Sequence, residues 1–160
     1  DDYLKIIEGK TASLIKTSAK LGAMASGCKQ ETISSISKWA WHSGIIFQIT
    51  DDILDLSSDE KTLGKPSGND IIEGTYTLPV LIALEKYPEK INKILSDISE
   101  NKVGVNEVIN EFNNDEIISE SKLFLKTHLE KSESAAKEID NKTVRNILLD
   151  INTYLIERSN

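Results

Sequence analysis

Three aspartates and a glutamine within eight residues are the part of the sequence best suited to chemistry. They lie in the segment Phe47-Gln48-Ile49-Thr50-Asp51-Asp52-Ile53-Leu54-Asp55. Because each helical residue advances by about 100°, Gln48, Asp51 and Asp55 fall in one narrow stripe, and Gly44 lies in the same stripe one turn before Gln48. The opposite side of that helix is apolar. The pattern predicts a mostly buried helix whose polar stripe faces an internal cavity.

Two carboxylates one helical turn apart predict a bound cation. Asp51 and Asp55 are at positions i and i+4, so their charges repel unless something positive lies between them. Carboxylates without histidine or cysteine suit a hard ion such as Mg²⁺, which keeps several waters and shares its shell with phosphate oxygens. The alternative is an acidic helix end in an acidic protein, because a bare D-D-x-x-D also occurs by chance.

Two other segments carry groups that bind anions. Lys10 precedes Thr11, and an ammonium beside a hydroxyl can hold a phosphate. The alternative there is a solvated lysine next to a threonine that packs against another helix. Lys65 lies in a Gly-rich stretch with Pro66 and Gly68, where it could cap an anion, although no P-loop pattern is present. The alternative for Lys65 is a surface lysine in a turn.

Composition and charge narrow the classes of protein. The 160 residues include 19 Lys and Arg against 26 Asp and Glu, and the net charge of -7 argues against a nucleic-acid binder. The longest apolar run, residues 80–84, is too short for a transmembrane segment, and the amino end lacks the features of a signal peptide. The single cysteine, Cys28, suits a reducing compartment, so we expect a cytoplasmic protein.

Helical periodicity dominates the chain and predicts an all-α fold in one domain. The first helix should bury a stripe of Leu4, Ile7, Leu14 and Ile15, with small residues such as Ser18, Gly22 and Ala25 along it, and should stop near Gly27. The residues expected to face inward on the last two helices are Leu123, Leu125, Leu129, Ala136, Ile139, Ile147, Leu148, Ile151 and Leu155. The further helices are predicted at about 31–56, 70–73, 77–87, 89–98, 105–112, 115–139 and 143–158, with a loop at 57–70.

Read together, the motifs resemble the trans-isoprenyl (polyprenyl) diphosphate synthase family. The resemblance rests on the order and spacing of five segments, and it is clear over residues 1 to about 84. It is closest to the large catalytic chain of the two-component heptaprenyl or hexaprenyl diphosphate synthases. The segments are Tyr3-Leu4-Lys5-Ile6-Ile7-Glu8-Gly9-Lys10-Thr11-Ala12, Leu21-Gly22-Ala23-Met24-Ala25-Ser26-Gly27, the Gln48 segment, Leu63-Gly64-Lys65-Pro66-Ser67-Gly68-Asn69-Asp70 and Glu73-Gly74-Thr75-Tyr76-Thr77-Leu78-Pro79.

The resemblance implies an isoprenoid synthase-like bundle of packed helices around a central cavity. The family's first aspartate-rich motif has no counterpart here, so residues 1–160 resemble only the carboxy-terminal half of such a domain. Thr75 stands where many relatives place lysine, a position at which the two-component subfamily is less strict. If the other half is absent, the helix faces that packed on it should be exposed as a large apolar surface.

The resemblance also implies the head-to-tail condensation of isopentenyl diphosphate with an allylic diphosphate, which makes a medium- or long-chain polyprenyl diphosphate. Asp51, Asp52 and Asp55 then hold Mg²⁺ on the allylic diphosphate. Lys10, Thr11 and Gln48 contact that diphosphate, and Lys65 closes over it. The expected catalytic residues are Lys10, Gln48, Asp51 and Asp52. The expected assembly is a homodimer or a heterodimer with a small subunit.

This half alone should have no measurable turnover, because it lacks half of the metal site.

Two rival interpretations of the sequence stay open. A non-catalytic helical partner or regulatory subunit of a complete synthase would also explain the short chain, although such a subunit has no need for the aspartates at 51, 52 and 55. A terpene cyclase is disfavoured, because those enzymes lack the arrangement from Gln48 to Pro79.

Overall fold

The computed structural model describes residues 2–57 and 67–158, and its regular elements in those ranges are all helical. The all-α prediction is confirmed. No helix in the described ranges combines the length and the apolar character needed to cross a bilayer. The elements are α1 (Asp2–Ile7), a π-helical turn (Glu8–Ala12), α2 (Ser13–Ala25), α3 (Gln30–Ser57), α4 (Asn69–Ile72), α5 (Leu78–Lys86), α6 (Pro88–Ser99), α7 (Val105–Val108), a 3₁₀ turn (Ile109–Glu111), α8 (Asp115–Lys137) and α9 (Lys142–Glu157).

Three helices end at a residue in the left-handed conformation, which closes the last turn. After α2, Gly27 has φ +70°, and the amide that follows it bonds the Ala23 carbonyl at 3.1 Å. Gly74 (φ +73°) ends α4 and Asn101 (φ +55°) ends α6 in the same way. In all three, the amide of the left-handed residue bonds the carbonyl three residues earlier, and the next amide bonds the carbonyl five residues before it. The predicted stop near Gly27 and the predicted helix ends near residues 73 and 98 are confirmed.

Residues Asp1–Thr50 and Phe124–Asn160 form one compact unit. Its apolar centre joins α3 to α8 through Trp39, Ala40, Ala135 and Ala136, and half-buried residues of α2 and α9 pack against them. A buried polar cluster joins three of these helices: Ser43 of α3 and Ser132 of α8 both bond the side-chain amide of Asn152 in α9. These bonds satisfy polar groups that would otherwise be costly to bury.

Residues Asp51–Leu123 form the second compact unit. Its helices α4, α5 and α6 are short, and α6 packs against both of the others. Pro79 and Pro88 lie in the first turns of α5 and α6, because proline fixes φ and has no amide to lose there. Its fully buried apolar side chains include Val80, Ile91, Phe112 and Ile117.

The buried face predicted for the first helix is partly wrong. Ile7 is buried, but Leu14 is 69% exposed, and Ser18, Gly22 and Ala25 are exposed as well. The cause is the π-helical turn, which inserts one residue between α1 and α2 and rotates the face that follows. The side chains of α2 that turn inward are Ile15, Ala19 and Ala23, at a spacing of four.

Several large apolar side chains are exposed, as expected for a chain with uncovered helix faces. They include two residues of α8 and three of α9. Most of the residues predicted to face inward on the last two helices do so: Leu125, Ala136, Ile139 and Leu155 are buried, and Leu129 and Leu148 are half-buried. The prediction is wrong for Leu123, Ile147 and Ile151, which are 62%, 52% and 39% exposed. The exposed set comprises Ile6, Leu14, Leu21, Met24, Ile72, Tyr76, Tyr87, Leu123, Phe124, Ile147, Ile151 and Tyr154.

Candidate functional site

One hydrogen bond joins two of the predicted site residues across 37 positions of sequence. The hydroxyl of Thr11 donates to Oε1 of Gln48 at 2.6 Å. Gln48 is 5% exposed and Thr11 is half-buried, so little water competes for the bond. The structure therefore brings the Lys10-Thr11 segment and Gln48 together.

The Lys10-Thr11 segment has an unusual backbone. The amide of Ser13 bonds the carbonyl of Glu8, five residues earlier, which defines a π-helical turn. The Gly9 carbonyl, which would accept that amide in an α-helix, accepts the Ser13 hydroxyl at 3.2 Å instead. The sequence thus supplies a side-chain donor where the altered register leaves a carbonyl without its usual partner.

Helix α3 comes very close to this π-helical turn at Gly44. A Cβ placed on Gly44 would lie 2.6 Å from the Cα of Ala12 and 2.9 Å from its Cβ. Only glycine fits such an approach of two backbones. The contact explains how a threonine with a short side chain reaches Gln48, one turn further along α3.

Lys10 lies in the middle of the π-helical turn. Its side chain is exposed, and within the described ranges its ammonium forms no ion pair. A cation that is not neutralised by a neighbouring carboxylate remains available to an anion from outside the protein.

The three aspartates of α3 differ in their surroundings. Asp51 is exposed, Asp55 is half-buried, and Asp52 is only 2% exposed on another side of the helix. The polar stripe is therefore not enclosed throughout, contrary to the expectation that it faces an internal cavity. Asp51 and Asp55 remain neighbours on one face of α3, one turn apart.

Asp55 is tied to the start of α4. Its Oδ2 accepts the backbone amide of Asp70 at 3.3 Å, and its backbone carbonyl accepts the amide of Gly68 at 2.8 Å. Burial raises the pKa of the Asp55 carboxyl, the amides of Asp70 and Asn69 oppose that shift, and the charges of Asp70 and Asp51 add to it. Negative charge thus accumulates around Asp55, which is the condition that favours a bound cation.

Lys65, predicted to close over a diphosphate, lies outside the described residues. In the ranges that the structure covers, no three His, Cys, Asp or Glu side chains are gathered tightly enough to hold a metal ion. Sequence reasoning missed Glu8, Ser13 and the role of Gly44. The one signal for Gly44 was its place in the polar stripe, four residues before Gln48.

The chain belongs to the polyprenyl synthetase family, whose family model matches residues 1–115. It is 33% identical over 156 residues to heptaprenyl diphosphate synthase component 2 of Bacillus subtilis, a match that covers 98% of this chain and 45% of that protein. This confirms the resemblance that the motifs indicate.

Solved structures agree with this assignment. The heptaprenyl diphosphate synthase of Staphylococcus aureus superposes with a TM-score of 0.88 at 30% identity and covers 99% of this chain and 50% of that one. A geranylgeranyl pyrophosphate synthase of Corynebacterium glutamicum, complexed with calcium and isoprenyl diphosphate, has a TM-score of 0.85 at 27% identity, with coverage of 98% and 50%. The chain thus spans about half the length of the relatives it matches, as the sequence predicts.

Proposed function

We propose that this chain provides the allylic diphosphate-binding residues of a prenyltransferase that condenses isopentenyl diphosphate with an allylic diphosphate. The observation that carries the proposal is the 2.6 Å bond between Thr11 and Gln48. It holds together two residues that family resemblance assigns to one diphosphate, and Lys10 stands beside them. The relative from Corynebacterium glutamicum was solved with an isoprenyl diphosphate, which supports that substrate class.

The direction of the bond assigns a role to each residue. Thr11 has one hydroxyl proton and gives it to Gln48, so it cannot donate to a phosphate oxygen at the same time. Its task is to fix the amide of Gln48, whose nitrogen then points away from Thr11. Lys10 would bind the diphosphate by charge and stabilise the negative charge that grows on the leaving group.

The carboxylates fit Mg²⁺ by the chemistry of the donor set. Asp51 is exposed and Asp55 lies one turn away, and Mg²⁺ is usually held by one or two carboxylates together with waters and phosphate oxygens. Asp52, buried beside them, would support the helix rather than bind the ion directly. When bound, Mg²⁺ would neutralise charge on the departing diphosphate.

We also propose that turnover requires more than these 160 residues. The matched relatives are about twice as long, and one is named as a component 2, which implies that it works with another component. On this proposal the chain alone binds the allylic diphosphate but does not condense it. A homodimer or a heterodimer with a small subunit, and a cytoplasmic location, stay predictions. So does the assignment of residues 1–160 to the carboxy-terminal half of one domain.

The proposal is tested by titrating farnesyl diphosphate into the protein by calorimetry, with and without Mg²⁺. We expect Mg²⁺-dependent binding that Lys10→Ala and Asp51→Ala each weaken at least about tenfold, since each removes a charged contact to the site. Lys16→Ala and Asp150→Ala remove the same charges from exposed positions on α2 and α9 and serve as matched controls.

Equal weakening by the test and control variants would contradict the proposal, because it would mean that only net charge matters. Binding that does not depend on Mg²⁺ would contradict the metal assignment alone. Elongation of farnesyl diphosphate by the isolated chain, at the rate of a complete relative, would contradict the prediction that this half is inactive.

A second candidate is a non-catalytic helical partner of a complete synthase. The exposed apolar side chains of α2, Leu14, Leu21 and Met24, favour this reading, because such faces usually pack on another protein. The same titration separates the two candidates, since a purely structural partner has no use for Mg²⁺-dependent binding through Lys10.

A further inference from the structure

The π-helical turn is held against α3 at three points along one face of that helix. Trp41 bonds Glu8, Gly44 touches Ala12, and Gln48 accepts from Thr11. Positions 41, 44 and 48 are spaced by three and four, so they form one stripe. The first residue of the turn and its last two are therefore tethered, and Lys10 lies between the tethers.

The contact at Glu8 is a hydrogen bond from the indole Nε1 of Trp41 to Oε1 of the carboxylate, at 2.9 Å. The Trp41 ring also packs against a second ring. The rings of His42 and Trp41 meet edge to face, with 4.8 Å between their centroids, and Nδ1 of His42 lies 3.1 Å from Nδ1 of His128 in α8. A ring packed in this way can position its partner, because few rotamers are open to it.

Solvent reaches this bond. Glu8, Trp41 and His42 line a groove of about 460 Å³, together with Lys16 and Lys38. A hydrogen bond at such a groove contributes modestly to folding, so its loss should leave the chain folded. The contacts of Gly44 with Ala12 and of Gln48 with Thr11 would still hold the π-helical turn against α3.

We propose that Glu8 and Trp41 are positioning residues for Lys10 in diphosphate binding. This inference rests on the proposed function. Their bond fixes the first residue of a turn whose π geometry is intrinsically rare, and without it the backbone that carries Lys10 is held only from the other end of the turn. Neither residue touches the diphosphate itself.

The test compares Glu8→Ala, Glu8→Gln and Trp41→Phe by calorimetry with farnesyl diphosphate and, separately, inorganic pyrophosphate in Mg²⁺. Glu8→Ala and Trp41→Phe should weaken binding of both probes about three- to tenfold, the value of one hydrogen bond. Glu8→Gln keeps an acceptor oxygen and should restore affinity to within about twofold. The double variant Glu8→Ala/Trp41→Phe should bind no worse than either single variant, because both remove the same bond.

Charge alone predicts the opposite result, which makes the test decisive. Glu8→Ala removes a negative charge near an anion site, so Coulombic attraction by itself would tighten binding. Glu31→Ala, an exposed glutamate at the start of α3, controls for charge. Trp39→Phe loses a comparable bond, from Nε1 to the Leu148 carbonyl at 3.2 Å, without touching the turn, and should lower stability but not affinity.

Binding that depends on Lys10 but is unchanged or tighter in Glu8→Ala would overturn the positioning role alone. Equal losses in Trp41→Phe and Trp39→Phe would also overturn it, because the effect would then be general destabilisation. Absence of binding that depends on Lys10 in the wild type would overturn the proposed function and this assignment with it.

Discussion

The region around Gln48 and the region around the aspartates lie on one helix but are built in opposite ways. Gln48 is buried and its partner across the chain is fixed by a short side-chain bond. Asp51 is exposed, and Asp55 is held by backbone amides at the start of α4. The first region is preorganised by packing, whereas the second keeps the Asp51 carboxylate accessible to solvent.

The difference follows from what each group would bind. An amide and a lysine must be aimed to recognise phosphate oxygens, and aiming requires fixed neighbours. A hydrated Mg²⁺ can bind carboxylates through its waters, so the exposure of Asp51 does not weaken its binding of the ion. The comparison therefore predicts that substitutions in the first region disturb the fold and those in the second disturb mainly binding.

The largest effect is expected at Gly44, where the two backbones touch. Gly44→Ala places a methyl group 2.6 Å from the Ala12 Cα and should lower the free energy of unfolding by about 1–3 kcal/mol, measured by urea denaturation. Farnesyl diphosphate binding should weaken with it. Gly22→Ala, in open space on α2, is the control and should instead stabilise by about 0.5–1 kcal/mol. If Gly44→Ala were as stable as the wild type, the claim that close packing preorganises the region around Gln48 would be contradicted.

Substitutions of Asp51 and Asp55 should affect Mg²⁺-dependent binding and folding stability differently. Asp51→Asn should change the free energy of unfolding by less than about 0.5 kcal/mol while weakening Mg²⁺-dependent binding at least about tenfold. Asp55→Asn should weaken binding too, but stabilise the metal-free chain by about 0.5 kcal/mol at neutral pH, allowing for solvent screening, because it removes a carboxylate whose burial raises its pKa. The amide oxygen can still accept from Asp70. A loss of stability in Asp55→Asn would contradict this account.

The smallest effect is a loss of folding stability at acidic pH, and it concerns His42, which lies on the same helix as Gln48. Burial, the neighbouring His128 and the charge of Lys131 lower the pKa of His42 from its ordinary 6.5 to about 4. The unfolded chain therefore binds more protons than the folded one between those values, and stability should fall as pH drops through that window. We expect a loss of about 1 kcal/mol, because the ring is only half-buried and solvent screens part of the effect.

His42→Phe should reduce that pH dependence, measured by urea denaturation at several pH values, because it removes one titrating group and keeps a ring against Trp41. The part that remains belongs to His128, whose pKa burial also lowers. Ser34→Ala, an exposed neighbour on the same helix, should keep the wild-type slope. An unchanged slope in His42→Phe would show that another group causes the acid sensitivity.

The sequence predicts the helices well and the site only in outline. Helix α3 was expected at about 31–56 and spans Gln30–Ser57, because its apolar pattern is long and regular. The stripe of Gln48, Asp51 and Asp55 follows from the same regularity. Their unequal exposure does not, since it depends on what packs beside each turn.

The π-helical turn could not be predicted from periodicity. Its extra residue breaks the pattern that joins Ile7 to Leu14, and its cause is a set of distant contacts to Trp41, Gly44 and Gln48. Such contacts join residues more than 30 positions apart, and a single sequence does not reveal them. Family resemblance supplied the pairing of Lys10 and Thr11 with Gln48, and the geometry supplied the bond.

The two tryptophans make this protein a natural subject for fluorescence. They are the only ones in the chain, and their indole nitrogens donate in different places, Trp39 to a carbonyl of α9 and Trp41 to the π-helical turn. Replacing either one leaves an emission signal from the other. A single pair of variants would thus give separate optical readings of the buried centre and of the segment that carries Lys10.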